Sequence, residues 1–230
     1  PAQCERLRKY GIDSAEVVPL GVDLALFHPT HRSEELRSRL FGANPDTVVI
    51  LYAGRLDAEK HVEVLLEAFT RCNLADARLV MSGEGPLREK LEAEAAARKH
   101  FLVIPYQQDR QAFAALLASA DIYATAGPHE TFGLSVVEAQ ASGLPVVGVA
   151  AGALPERVVP GTGFLSPAGD AATFARHLEQ AASQRASMSL AARAHVEHSG
   201  YEWHATFEKL FAIYRAKWRS APQERCPSPQ

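Results

Sequence analysis

The sequence predicts a doubly wound α/β domain: a parallel sheet with helices on both faces. Three observations predict it. Short apolar runs recur along the chain and are continuous rather than alternating, as strands covered on both faces require. Segments with helical spacing separate those runs. Loops containing glycine or proline follow the runs, where a strand would hand over to a helix.

In chain order, Cys4-Glu-Arg-Leu-Arg-Lys-Tyr10 reads as the tail of an earlier helix, and the first residue is Pro1 rather than Met. An N-terminal portion is therefore expected to be missing, with residues 1–15 as its end and linker. The expected strands are Val48 to Tyr52, Arg78 to Met81, Phe101 to Ile104, Asp121 to Ala124 and Pro145 to Val149. Between them, Val62, Leu65 and Phe69 share one helical face, as do Leu87, Leu91 and Ala95, and Phe113, Leu116 and Leu117 follow. The domain is expected to span residues 16–200, with a last helix over 201–220 and a disordered tail over 221–230. On that last helix Phe207, Leu210, Phe211, Tyr214 and Trp218 form an apolar stripe. The stripe is read as packing on a core, with the face of a partner domain as the alternative.

The 230 residues are 47% hydrophobic, enough to bury a core. The net charge of −3 comes from interspersed residues, which argues against a nucleic-acid stripe or a polybasic lipid patch. Cys4, Cys72 and Cys226 are scattered and unpaired in pattern, so a reducing, cytoplasmic compartment is expected. The longest apolar stretch, Leu144 to Leu154, is broken by Pro145, Gly148 and Gly152 and falls short of the roughly 20 residues that span a bilayer.

Ligands of such a sheet bind beyond the carboxyl ends of its strands, so the loops carry the chemistry. In Tyr52-Ala-Gly-Arg-Leu-Asp-Ala-Glu-Lys60, Arg55 and Lys60 stand at the sheet's mouth. They suit phosphate oxygens, and they equally suit solvated surface. Met81-Ser-Gly-Glu-Gly-Pro86 lacks the third glycine of a dinucleotide fingerprint. It reads as a tight turn with Pro86 at the first helical position, in which Gly83 would also let backbone approach a nucleotide. In Ala126-Gly-Pro-His-Glu-Thr-Phe-Gly-Leu-Ser-Val-Val-Glu138, a helix is expected to start near Gly133, offering the amides of Phe132, Gly133 and Leu134 to an anion. Glu130 and Glu138 follow the spacing E-x7-E. Eight helical steps rise about 12 Å, too far for a hydrolase pair. They read instead as two contacts along one elongated ligand, or as a surface carboxylate and an acid beside a helix N-terminus. His129 touches a sugar or caps the turn.

His129-Glu-Thr-Phe-Gly-Leu-Ser-Val-Val-Glu138 resembles the E-x7-E signature of the large retaining glycosyltransferase family 4, which has the two-domain GT-B fold. Val18-Pro-Leu-Gly-Val-Asp-Leu-Ala-Leu-Phe27, the loops at Tyr52 to Lys60 and Ser82 to Pro86, and Gly152-Ala-Leu-Pro-Glu156 match in order, so the resemblance spans Tyr10 to Trp218. It implies that Arg55 and Lys60 hold a diphosphate, that Glu130 accepts hydroxyls of the transferred sugar and that Glu138 holds the ribose. It places the Phe132 to Leu134 amides on phosphate or sugar, and Pro105 and Tyr106 beside the base. Ala151 and Ala153 depart from the family's usual residues in their loop.

The resemblance also implies a missing N-terminal acceptor domain and transfer of a hexose from a nucleoside diphosphate sugar with retention. The wording from Leu51 to Glu138 is similar to GDP-mannose-dependent α-mannosyltransferases, with UDP-sugars as runner-up. No D-x-D occurs, so no metal or other cofactor is expected. Peripheral contact with the inner membrane would fall to the missing domain. An epimerase or phosphorylase of the same fold, or a non-catalytic nucleotide-sugar-binding module, is the alternative. Ser135 lacks a nucleophile elbow. His195 and His198 share a helix face without a second motif and read as solvated surface.

Overall fold

The computed structural model describes residues 2–220; the expected disordered tail, 221–230, lies outside the described residues. The elements are α1 (Ala2–Lys9), α2 (Glu34–Phe41), β1 (Val48–Ala53), α3 (Val62–Arg71), β2 (Ala77–Ser82), α4 (Arg88–Ala96), β3 (Phe101–Ile104), α5 (Arg110–Ala118), β4 (Ile122–Ala124), α6 (Leu134–Ala141), β5 (Val146–Val149), α7 (Leu154–Arg157), β6 (Gly163–Ser166), α8 (Ala171–His198) and α9 (Trp203–Ser220). The strands pair in parallel in the order β3-β2-β1-β4-β5-β6. The order reverses between β1 and β4, which opens a crevice at their carboxyl ends.

The strands form where the sequence is continuously apolar. Val49, Ile50 and Leu51 of β1 and Val146, Val147 and Val149 of β5 have no accessible surface. Helix starts follow capping chemistry: Ser33, Asp109 and Asp170 each accept a first-turn amide of α2, α5 and α8. Helix α3 buries Val62, Leu65, Leu66 and Ala68 and packs on α8. Under the sheet's other end, Arg37 of α2 is fully buried and ion-paired with Asp121 at 2.9 Å.

Four expectations need correction. The five strands are joined by β6, and α8 runs 28 residues on a buried face made largely of alanine. Helix α4 starts at Arg88, so Pro86 lies in the preceding turn and not at the first helical position. The apolar stripe of α9 does not pack on the core: Phe207 is 46% exposed, Phe211 52% and Trp218 83%. Among the described side chains of α9, Thr206 is the buried one, donating to Pro19 O at 2.9 Å, while Trp203, Phe207 and Phe211 stack along the outside. His195 is half-buried edge-on against Tyr201 rather than solvated, and burial, then the nearby Arg157, lowers its pKa.

Gly83 is glycine for the sake of its neighbour loop. A Cβ there would stand 1.9 Å from Gly54 O, a backbone atom that cannot rotate aside. Gly83→Ala is expected to destabilise the domain by about 1–3 kcal/mol. A urea midpoint equal to the wild type's would show that the two loops can part at no cost.

Candidate functional site

The crevice between β1 and β4 is bordered by two loops. The first leaves β1 at Gly54, and its turn is fixed by the buried Tyr52, whose hydroxyl donates to Arg55 O at 2.6 Å. Burial raises the Tyr52 pKa, so the hydroxyl stays a donor. Asp57 caps the single turn Ala58–Lys60 by accepting the Lys60 amide. Arg55 projects outward, 65% exposed, between Asp57 and Glu59, each at 2.8 Å. The hydrogen bond it donates to Glu59, then the charge of Asp57, raises its pKa.

The second loop leaves β4 and reaches α6. Its Gly127 lies against Lys60, with space for a Cβ only 3.1 Å from Lys60 Cδ. That contact brings Lys60 Nζ to 3.1 Å from Glu130 Oε2. The other oxygen, Glu130 Oε1, accepts the Gly133 amide at 3.3 Å. Gly133, at φ 81°, is the residue before α6. The loop after β5 supports this turn from below, with the Ala153 amide donating to Glu130 O at 2.8 Å.

Lys60, Glu130 and Gly133 thus form one hydrogen-bonded chain across the crevice, next to the positive end of α6. The Gly133 amide, expected to be open to an anion, is occupied by Glu130. Leu134 opens the first turn, whose amides have no intrahelical acceptor. Phe132 and Leu134 are half-buried and His129 is exposed.

Glu138 stands apart from this chain. It is 4% exposed, which overturns the surface-carboxylate alternative, and Arg110 Nη2 donates to its Oε1 at 2.9 Å. Burial raises its pKa, and Arg110 opposes the rise. Arg110 also lies over the Phe27 ring, 4.8 Å from its centroid. The two glutamates have different partners: Lys60 and the Gly133 amide for Glu130, Arg110 for Glu138. Tyr106, 59% exposed, sits in the loop after β3. Gly83 sits at the base of the β2 loop, its carbonyl bonded by Arg88 and its Cα face closed off by Gly54, so it offers little approach to a nucleotide.

The sequence reading missed Arg110, Arg157 and the tyrosines beneath the site. Tyr123 of β4 is buried and donates to Ala53 O at 3.0 Å, tying the ends of the two crevice strands together. A tyrosine inside an otherwise aliphatic strand was the available signal, because a buried hydroxyl needs a partner. Arg110 had none, since its partner is 28 positions away. Among the described residues, no group of three or more His, Cys, Asp or Glu side chains is placed to hold a metal, and no helix is long and apolar enough to cross a membrane.

Residues 34–203 match the family described as glycosyl transferases group 1. The chain belongs to that family. This group 1 glycosyl transferase chain is 41% identical, over 69% of its length, to the GDP-mannose-dependent alpha-(1-6)-phosphatidylinositol dimannoside mannosyltransferase of Mycobacterium tuberculosis. The match covers 42% of that relative, so the chain spans less than half of the length of the curated enzyme. Among solved structures, an Anabaena protein in complex with UDP-glucose superposes with a TM-score of 0.81 at 22% identity, over 94% of this chain and 62% of that one. The C-terminal domain of a group 1 glycosyl transferase from Francisella tularensis superposes with a TM-score of 0.68 at 22% identity, over 80% of this chain and 100% of the domain. The doubly wound sheet is thereby the Rossmann-like half of a GT-B fold.

Proposed function

We propose that this chain is the donor-binding part of a retaining glycosyltransferase that moves a hexose from a nucleoside diphosphate sugar to an acceptor hydroxyl in glycolipid or polysaccharide synthesis. The observation that carries the reading is the chain from Lys60 through Glu130 to Gly133 across the strand-order reversal. In this reading Glu130 turns from Lys60 to the sugar hydroxyls while Lys60 and Arg55 take the diphosphate. The first-turn amides of α6 face the same phosphates, so the leaving group's charge is balanced without a metal. Glu138 accepts the ribose hydroxyls, and Tyr106 borders the base. The departing phosphate helps to take the acceptor proton on the same face, which retains configuration.

In this reading the acceptor site belongs to an N-terminal domain; the match covers 42% of the relative, which leaves length for one, and the exposed face of α9 suits contact with it. The reading places the enzyme in the cytoplasm, with any attachment to the inner membrane carried by that domain. GDP-mannose is the first donor to try, because relatives are named for it, and UDP-glucose the second.

Calorimetric titration with GDP, UDP and ADP, each with and without magnesium, tests the reading. Saturable binding of one diphosphate, unchanged by magnesium, is the expected result; binding of none by the full-length protein would sink it. Glu138→Ala is expected to weaken that binding by about 1.5 kcal/mol, the worth of one hydrogen bond to a charged group. Protonation turns one of the two acceptor oxygens into a donor and removes the charge that strengthens the contact. Burial raises the Glu138 pKa, so affinity should fall on acidification starting at a higher pH than an exposed carboxylate would set. A flat profile from neutral to acidic pH would remove Glu138 from the site.

A further inference from the structure

Arg157 closes α7 and is 8% exposed. A guanidinium so buried is costly unless its donors and its charge are answered. Its Nε donates to Phe132 O at 2.9 Å and its Nη1 to the Tyr201 hydroxyl at 2.9 Å. Its Cζ lies 4.4 Å from the Phe132 ring centroid and 5.1 Å from that of Tyr201, and Glu156 Oε2 stands 3.7 Å from Nη1, so two aromatic faces and a neighbouring carboxylate answer the charge. Gln140 of α6 donates to the Arg157 carbonyl at 3.0 Å.

The carbonyl that Arg157 grips belongs to the same peptide unit as the Gly133 amide. That unit is planar, so fixing the direction of the Phe132 carbonyl fixes the direction of the Gly133 N–H. The Gly133 N–H is the donor that holds Glu130 Oε1. On its far side Arg157 is held by Tyr201, whose carbonyl accepts the Val22 amide at 2.7 Å beside the root of α9. We propose that Arg157 is a positioning residue for Glu130, acting through the Phe132–Gly133 peptide and braced by Tyr201. For catalysis this rests on the reading that Glu130 meets the transferred sugar; the positioning itself does not.

Amide hydrogen exchange on the protein without ligand tests the positioning. Arg157→Lys keeps the charge and loses the planar fork. Tyr201→Phe keeps the ring and loses only the acceptor, and it serves where the first variant folds poorly. In both, the Gly133 amide should exchange at least about tenfold faster while Val137, one turn into α6, stays within about twofold of wild type. Glu130→Ala should speed Gly133 as well, and adding Arg157→Lys to it should add little, as expected of residues acting through one contact. An unchanged Gly133, or Gly133 and Val137 rising together, overturns the proposal, because the second pattern is general loosening. A parallel titration with GDP and GDP-mannose separates the two readings. A wild type that protects Gly133 yet binds both equally keeps the positioning and removes the sugar contact assigned to Glu130.

Discussion

Arg37→Ala should lower the unfolding free energy by about 3–5 kcal/mol, the range for breaking a buried ion pair by removing one partner. Arg37 has no accessible surface, and the two terminal nitrogens of its guanidinium are spent on the chain around it. Nη1 donates to Asp121 Oδ2 at 2.9 Å and to Ser119 O at 2.8 Å, while Nη2 donates to Thr47 O at 2.6 Å. Truncation orphans two carbonyls and leaves Asp121, whose Oδ2 also accepts the Val49 amide of β1, facing only Arg32 at 3.2 Å. The cost is therefore mostly that of stranded partners rather than of a lost attraction. Equilibrium denaturation in urea reads it directly. A loss below about 1 kcal/mol would mean that water enters and solvates Asp121, as at an exposed pair.

Glu130→Gln in the full-length enzyme should lower the transfer rate about 10²–10³-fold, the scale of losing a preorganised polar contact and the geometry it sets. Glutamine keeps the volume but removes the charge that Lys60 pairs with at 3.1 Å. Lys60 is then free to collapse onto the diphosphate, so nucleotide binding should hold or tighten while turnover falls. A rate within threefold of wild type, measured at saturating donor, would take Glu130 out of the reaction. Equal losses in GDP affinity and in turnover would make it a structural residue of the loop.

The sheet was legible because its strands are continuously apolar and bounded by turn residues, as Val48 to Tyr52 and Phe101 to Ile104 illustrate. Strand β6 escaped because Gly163-Phe-Leu-Ser166 lies at the sheet's edge, only half-buried over Gly163 to Leu165, with no strong pattern to mark it. Helix α9 was legible as a helix, but its stripe was not legible as exposed. Periodicity reports that an apolar face exists and says nothing of what covers it. Arg55, Lys60 and Glu130 could be placed at the mouth of the sheet because a loop after a strand has one place to go in this fold. Their partners could not. Arg110 with Glu138 and Arg157 with Phe132 are pairings across many residues, set by how α5 and α7 dock.

The loops at the mouth of the sheet are stitched to one another. Gly54 N–H bonds Ser82 O, Leu56 N–H bonds Glu84 O, Leu87 N–H bonds Leu56 O, and Gly83 N–H bonds Ile104 O. On the other flank Ala153 N–H bonds Glu130 O. A rim braced in this way behaves as two stiff jaws rather than as independent fingers. The entropy of ordering those loops is lost when the chain folds, not when a ligand arrives, so affinity is spared that cost. Entry and exit of a ligand then fall to movement of whole jaws, or of whatever body closes over them, and not to the melting of any one loop.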